Sequence, residues 1–282
     1  MVTALRNRIP CGKPVAAVLV RLDDLGMSAD TVHFYDGLAA DYHLIYGDRW
    51  DEAVLRQGAS LARVIRDARP DAVTVLDCSC GIGTQTIGLA LEGFRVTGTD
   101  VSPGSVARAR VEARRWGVDV EFGVADFRDL RAIDGPFDVV LSADNALPHL
   151  LDDVDVLSAL TAMRTRMGDG GLLIVTMRDY DQALLDRPAT AMPLVVAGPP
   201  RRVVVRLHDW DGPQSAFYTV RFLICTEHDD GQWTTEHHRA RYRAMTRVAF
   251  TSLVGRVEFD EAIWRSGEDV GYHQPVITAT AT

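Results

Sequence analysis

Val73-Thr74-Val75-Leu76-Asp77-Cys78-Ser79-Cys80-Gly81-Ile82-Gly83-Thr84 runs from an apolar strand into a turn of small residues. A second apolar run, Val96–Thr99, leads to Asp100, 23 residues beyond Asp77. Outward from this pair the arrangement repeats: Val118–Val124 precedes Asp126-Phe127, Phe137–Leu141 precedes Asp144-Asn145, and Leu172–Met177 precedes Arg178. Strands that are apolar throughout and separated by helix-length segments predict a parallel sheet covered on both faces. The fold class is therefore α/β, with an open, mostly parallel sheet. Helix punctuation agrees, since Ser102-Pro103 offers an N-cap and a first-turn proline, and Gly93, Gly117 and Gly168 stand where helices should stop.

Ligands of such sheets bind beyond the carboxyl ends of the strands, which gathers Asp77, Asp100, Asp126 and Asp144 on one edge. An acid at the end of the second strand, here Asp100, suits two ribose hydroxyls through charge-assisted hydrogen bonds. A dinucleotide site asks for Gly-x-Gly-x-x-Gly, whereas the run from Gly81 reads Gly-Ile-Gly-Thr-Gln-Thr. Thr86 in place of the third glycine disfavours a nicotinamide oxidoreductase. Asp77, two positions before Ser79, suits a ligand's ammonium group.

After Tyr180 the pattern changes. Arg201–Trp210, Ala216–Thr226 and Gln232–Arg241 read as strands, joined by Asp211-Gly212-Pro213 and Asp229-Asp230-Gly231, and predict an antiparallel meander. Arg187–Pro200, with four prolines, reads as a linker or a loop over the site. A helix near Met245–Val254 and strands near Val257–Trp264 and Val276–Thr280 would complete the main sheet. Ahead of the first strand, Phe34, Tyr35, Tyr42, Tyr46 and Trp50 predict helices over the sheet edge.

The chain has 282 residues and a net charge of −9. Lys13 is its only lysine, and the arginines are scattered, so nucleic acid is not an expected partner. The four cysteines, Cys11, Cys78, Cys80 and Cys225, have neither disulfide-scaffold nor metal-ligand spacing, which points to a reducing cytoplasm and no metal. Nor does any run reach the roughly 18 apolar residues of a membrane span. His237 and His238 fall on opposite faces of a strand and cannot readily share an ion, although His237 alone could face the site. Arg202 and Arg206 alternate on one strand face and read as a solvated surface in preference to an anion site, and Cys78 and Cys80 as packing residues rather than nucleophiles.

Over roughly Val73 to Tyr180, the glycine loop, Asp100, Asp126-Phe127 and the Asp144–His149 segment together resemble the class I S-adenosylmethionine-dependent methyltransferases, whose fold is Rossmann-like. The resemblance implies the cofactor S-adenosylmethionine, leaving as S-adenosylhomocysteine. It sets Gly81 and Gly83 beside the methionine part, Asp100 with Val101 on the ribose side, and Asp126 and Phe127 against adenine. Asp77, Ser79, Asp144 and Tyr46 join the cofactor set, with Arg56 for the cofactor carboxylate. The corresponding division is an extension at 1–30, a helical covering segment at 31–70, the cofactor core at 71–180, an antiparallel cap at 181–245, and a helix with strands completing the sheet at 246–282. A narrower likeness, through Tyr35, Tyr46, Asn145, His149 and Met177-Arg178-Asp179-Tyr180-Asp181, is to the glycine and sarcosine N-methyltransferases. There the tyrosines matching Tyr35 and Tyr46 lie near the reacting methyl or the substrate, the residue matching Asn145 touches the acceptor, and the arginine matching Arg178 holds a substrate carboxylate.

Methyl transfer depends chiefly on alignment, which can supply effective molarities of about 10⁵–10⁸ M. A base is needed only if the acceptor sheds a proton, and a histidine titrating near pH 6.5 would suit. The catalytic candidates are His149, Tyr35, Asn145 and Arg178. The other readings are packing or capping for His149, helix packing for Tyr35, and a salt bridge to Asp179 or Asp181 for Arg178. An enclosing cap suits a small-molecule acceptor. The aromatic segment, with a likeness to actinobacterial natural-product methyltransferases, favours an indole-type acceptor methylated at carbon or nitrogen. Glycine or sarcosine N-methylation is the alternative, a non-catalytic binding module is a further one, and the sequence leaves a homodimer open.

Overall fold

The computed structural model describes residues 29–282; the expected extension, with Cys11 and Lys13, lies almost wholly outside them. α1 (Ala29–Leu38), a 3-10 turn (Tyr42–Tyr46) and α2 (Trp50–Ala68) lead in. The chain then alternates through β1 (Thr74–Asp77), α3 (Thr84–Leu91), β2 (Arg95–Asp100), α4 (Pro103–Trp116), β3 (Glu121–Val124), β4 (Phe137–Ser142), α5 (Asp153–Thr165), β5 (Met167–Thr176) and α6 (Tyr180–Asp186). The strands β6 (Leu194–Val196), β7 (Arg202–Trp210), β8 (Phe217–Glu227) and β9 (Trp233–Arg243) follow. α7 (Arg247–Val254), β10 (Ile263–Arg265), α8 (Gly267–Val270) and β11 (Val276–Thr280) close the chain.

The main sheet has seven strands in the order β10-β11-β5-β4-β1-β2-β3. β1 to β5 are parallel, and β11 pairs antiparallel with both β5 and β10. The sheet is buried on both faces: Val139 and Leu141 of β4 join α2 and α3 on one side, while Val140 joins α5 and α7 on the other. This explains why the strands read as unbroken apolar runs. The helix ends follow the sequence at α4, where the Ser102 hydroxyl accepts from the Ser105 amide and Gly117 takes a left-handed conformation. Gly168 instead lies inside β5, because α5 ends at Thr165 with Arg166 as its cap.

A four-stranded antiparallel sheet, β6-β7-β8-β9, forms the cap. Arg187–Pro200 is more than a linker: Leu194-Val195-Val196, free of proline, pairs with Val204-Val203-Arg202 at the cap edge. The strand expected at Val257–Trp264 shrinks to Ile263–Arg265 plus a bridge from Phe259 to Ala281. Likewise β3 begins only at Glu121, since Val118 still donates to Ala113 at the end of α4.

α2 and α3 touch backbone to backbone at Gly58 and Gly88. A Cβ on Gly88 would stand 2.5 Å from the Val54 carbonyl oxygen, with rigid helix on both sides. Gly88→Ala is therefore expected to cost about 3 kcal/mol, the upper part of the overpacking range, read as a lowered midpoint in urea unfolding. An unchanged midpoint would mean that the two helices separate freely.

Candidate active site

The turn after β1 carries Gly81 at φ +51° and Gly83 at φ +97°, conformations that glycine adopts without strain. A Cβ on Gly81 would meet nothing within 4 Å, so the peptide is open to a ligand on that side. The Asp100 carboxylate fixes this turn, accepting from the amides of Gly81 at 2.8 Å and Ser102 at 2.9 Å. It lines a cavity together with Gly81, Val101, Phe127, Asp144 and His149. A carboxylate offers about four acceptor sites, so Asp100 has capacity left for a diol. Burial raises Asp100 to about 6 despite the two amides, and it is ionised at neutral pH.

Asp77 is placed differently. It is fully buried beneath the turn and off the cavity wall, accepting from the Thr86 hydroxyl at 2.7 Å and the Ser79 amide at 3.2 Å. Thr86, where a dinucleotide site would have glycine, thus ties α3 to β1. Burial raises Asp77 to about 7, against these hydrogen bonds. Because its folded value lies above the unfolded one, the stability it contributes is present in acid and lost as pH rises toward 7. Buried histidines act in the opposite sense, so the informative quantity is a difference. Asp77→Asn minus parent stability should grow by about 1–3 kcal/mol between pH 4 and 7 and then level off, measured by urea unfolding at each pH. A difference that stays flat with pH would contradict this.

Asp126 also lies off the wall, because Arg128 takes its carboxylate through the backbone amide at 2.9 Å and the guanidinium at 2.7 Å. Phe127 alone of that pair faces the cavity.

His149 sits in a 3-10 turn after β4, 7% exposed. Its Nε2 and the Tyr35 hydroxyl share a 2.7 Å hydrogen bond, and its ring lies 4.1 Å from that of Tyr242. Burial pulls His149 down to about 3, opposed only weakly by the Arg241 backbone, so the ring is neutral at physiological pH. Burial equally pushes the Tyr35 hydroxyl above its usual range, so it keeps its proton. His149 lines the first cavity and Tyr35 lines both that one and a second, of about 340 Å³, under the cap.

The second cavity is walled by Phe34, Tyr42, Phe222 and Tyr242, with Arg178 and Asn145 at the end of the sheet. Tyr46 and Arg56 line it too. Asp144, at φ +54°, stands between the cavities. It accepts from Tyr46 at 2.8 Å, Tyr272 at 2.8 Å and Gln274 at 3.2 Å, and pairs with His273 at 3.2 Å. Burial would raise its carboxyl, yet these partners hold it below the usual range. Asn145, also left-handed at φ +70°, accepts from the Arg178 amide at 3.1 Å and the Tyr180 hydroxyl at 3.0 Å. Arg178 has no ion pair with a described residue: Asp179 caps α6 and Asp181 accepts from the Arg247 amide. Its guanidinium meets His208 Nε2 at 3.4 Å, and burial, then Arg178, lowers His208 to about 4.

Sequence reasoning missed His208, Tyr242, Tyr272 and Gln274, which reach the site from the cap and the C-terminal segment. It also misplaced Arg206, which lies on the cavity wall instead of in solvent, while Arg202 pairs with Asp41 at 3.4 Å. His237 points outward, and His238 on the inner side stays off the cavity wall. Cys78 and Cys80 are buried, which raises both thiols. Among the described residues no cluster of three or more His, Cys, Asp or Glu is placed to hold a metal, and no helix is long and apolar enough to cross a membrane.

Comparison with known proteins agrees with this layout. A methyltransferase domain model matches residues 75–171. The chain is 31% identical over 211 residues to the cypemycin N-terminal methyltransferase of a Streptomyces species, covering 72% of this chain and 82% of that protein. It is 32% identical over 166 residues to a glycine/sarcosine N-methyltransferase of Parasynechococcus marenigrum, covering 56% of this chain and 58% of that protein's length. Among solved structures, DesVI of Streptomyces venezuelae superposes with a TM-score of 0.73 at 16% identity, covering 86% of this chain and 98% of that one. An amino pentose methyltransferase of calicheamicin biosynthesis from Micromonospora echinaspora gives 0.68 at 20% identity, covering 86% and 96%. The chain belongs to the class I S-adenosylmethionine-dependent methyltransferases. Its cofactor is S-adenosylmethionine, and the open Gly81 turn beside the Asp100 carboxylate fits it.

Proposed function

We propose that the enzyme methylates a small aromatic acceptor of indole type, at carbon or nitrogen, in specialised metabolism. The observation that carries this reading is the Tyr35–His149 pair, whose histidine lines the first cavity and whose tyrosine lines both, at the head of an aromatic-lined chamber. A volume of about 340 Å³ falls in the range of sites for drug-sized ligands, about 300–1,000 Å³. Relatives named for cypemycin and calicheamicin support the metabolic setting.

Bound S-adenosylmethionine supplies the methyl group on a sulfonium. Asp100 would hold the ribose hydroxyls, Val101 and Phe127 would pack the adenosine, and the Gly81 turn would take the methionine end, with Arg56 reaching its carboxylate from the second cavity, whose wall it lines. Phe34, Tyr42, Phe222 and Tyr242 hold the acceptor ring in line and exclude water. As the acceptor sheds its proton, the Tyr35 oxygen takes it while the Tyr35 hydroxyl proton passes to His149 Nε2. The relay leaves His149 as an imidazolium in a site that holds the ring down to about 3, so the proton moves only together with acceptor attack, as the neighbouring sulfonium charge is lost. The hydroxyl between the ring and the acceptor lets the proton move without a free phenolate.

Glycine or sarcosine N-methylation is the second reading, favoured by Arg178 beside Asn145 and by the named relative. Incubation with labelled S-adenosylmethionine and a panel of tryptophan derivatives, tryptamines, phenols, glycine and sarcosine separates the two. Label in indoles or phenols is the expected result. Label confined to glycine and sarcosine would overturn the aromatic reading.

A further inference from the structure

The inner row of β7 runs Val204, Arg206, His208, facing Ile224, Phe222 and Val220 of β8. Every member of that patch except Arg206 is at most 7% exposed. A cation in the middle of a buried cap face is costly unless it is paired. The Arg206 side chain has no ion pair and no hydrogen bond with a described residue; its Nε is buried without such a partner, and its guanidinium lies over the Phe222 ring at 5.6 Å. Arg178 and Arg56 line the same cavity, and Asp144, the one carboxylate on its wall, is taken up by Tyr46, Tyr272, His273 and Gln274. No described side chain neutralises Arg178 or Arg206, and Arg56 is assigned to the cofactor's own carboxylate.

We infer that Arg206 is a specificity-determining residue that receives a carboxylate carried by the acceptor, so that the substrate is an aromatic carboxylic acid. This rests on the aromatic reading and narrows it. The planar guanidinium fork matches a carboxylate with two parallel hydrogen bonds. Phe222 beneath supports the fork, while His208 braces Arg178 beside it, its Nδ1 meeting the Pro188 carbonyl at 3.2 Å. An oxyanion arriving between the arginines completes the charge balance that the fold leaves open. Arg206 therefore serves a ligand at the expense of the empty protein's stability.

The test measures binding as well as turnover. Enzyme saturated with S-adenosylhomocysteine is titrated calorimetrically with indole-3-acetate and with 3-methylindole, which has the same ring without the carboxylate. The parent should bind the acid at least tenfold more tightly. Arg206→Gln should lower the affinity for the acid at least tenfold, and Arg206→Lys should recover only part of it. The dissociation constant for S-adenosylhomocysteine should stay within threefold throughout, and Arg206→Gln should raise the Tm of the ligand-free protein. Equal binding of the two probes, no binding of the acid, or acid binding that survives Arg206→Gln would overturn the inference. So would a loss of S-adenosylhomocysteine affinity, which would assign the arginine to the cofactor, or a lowered Tm, which would make it structural. Failure of the aromatic reading shows separately, as acid binding that depends on Arg206 in an enzyme that labels no aromatic in the panel.

Discussion

His149→Ala is expected to lower kcat for the aromatic acceptor by about 10²–10³ while leaving the dissociation constant for S-adenosylmethionine within a few-fold, since a positioned proton acceptor contributes about 10²–10⁴. Initial rates at saturating cofactor, paired with calorimetry, measure both. The pH dependence carries a second expectation. Burial holds His149 down to about 3, so it stays neutral from pH 5 to 8 and its protonation does not gate the rate there. The sequence led instead to a rate falling near pH 6.5, because the ring's burial against Tyr242 cannot be read from the chain. A variant that loses cofactor affinity or folding at unchanged kcat would make His149 a packing residue.

Asp100→Ala is expected to weaken cofactor binding by about 2–4 kcal/mol, roughly 30- to 10³-fold, through the loss of charge-assisted bonds to the ribose hydroxyls. Asp100 also clamps the Gly81 and Ser102 amides, so Asp100→Asn, which keeps the volume and one acceptor, should fall between parent and Ala. Since burial raises the carboxyl to about 6, parent affinity should fall as pH drops through that value and the carboxylate gains its proton. Calorimetry at pH 7.5 and pH 5 reads both effects, with circular dichroism to confirm folding. An unchanged dissociation constant in the Ala variant would remove Asp100 from the cofactor site.

The parallel sheet was legible because its strands are buried on both faces and leave continuous apolar runs, as in Val75-Leu76 and Val139-Val140-Leu141. The Gly81 turn and Asp100 were legible because loop chemistry at a strand end is local. Asp77 and Asp126 were legible as acids at the right edge but not as to where they point. Their direction depends on Thr86 and Arg128, and a glycine motif or an Asp-Phe pair carries no information about such partners. β6 escaped because three residues among prolines give no periodicity. Arg206 was misread for a different reason. Alternation set Arg202 and Arg206 on one strand face, but an arginine's usual preference for water made that face read as solvated, although Val204 and His208 on the same row are buried. That conflict between pattern and residue type marks a functional position. Tyr272 and Gln274 lie about 130 positions from Asp144, so their convergence there appears only once β11 has folded against β5.

If Tyr35 and His149 act as one proton-accepting unit, a double-mutant cycle on the single-turnover rate will show it. Tyr35→Phe, His149→Ala and the double variant are each mixed with saturating cofactor and the acceptor that the parent methylates, and the chemical step is timed by quench-flow. A shared path for one proton predicts that each single change breaks it, so the double variant should be within about threefold of His149→Ala. Rate losses that multiply, with the double variant slower by the product of the two single effects, would show that the residues act independently and contradict the relay.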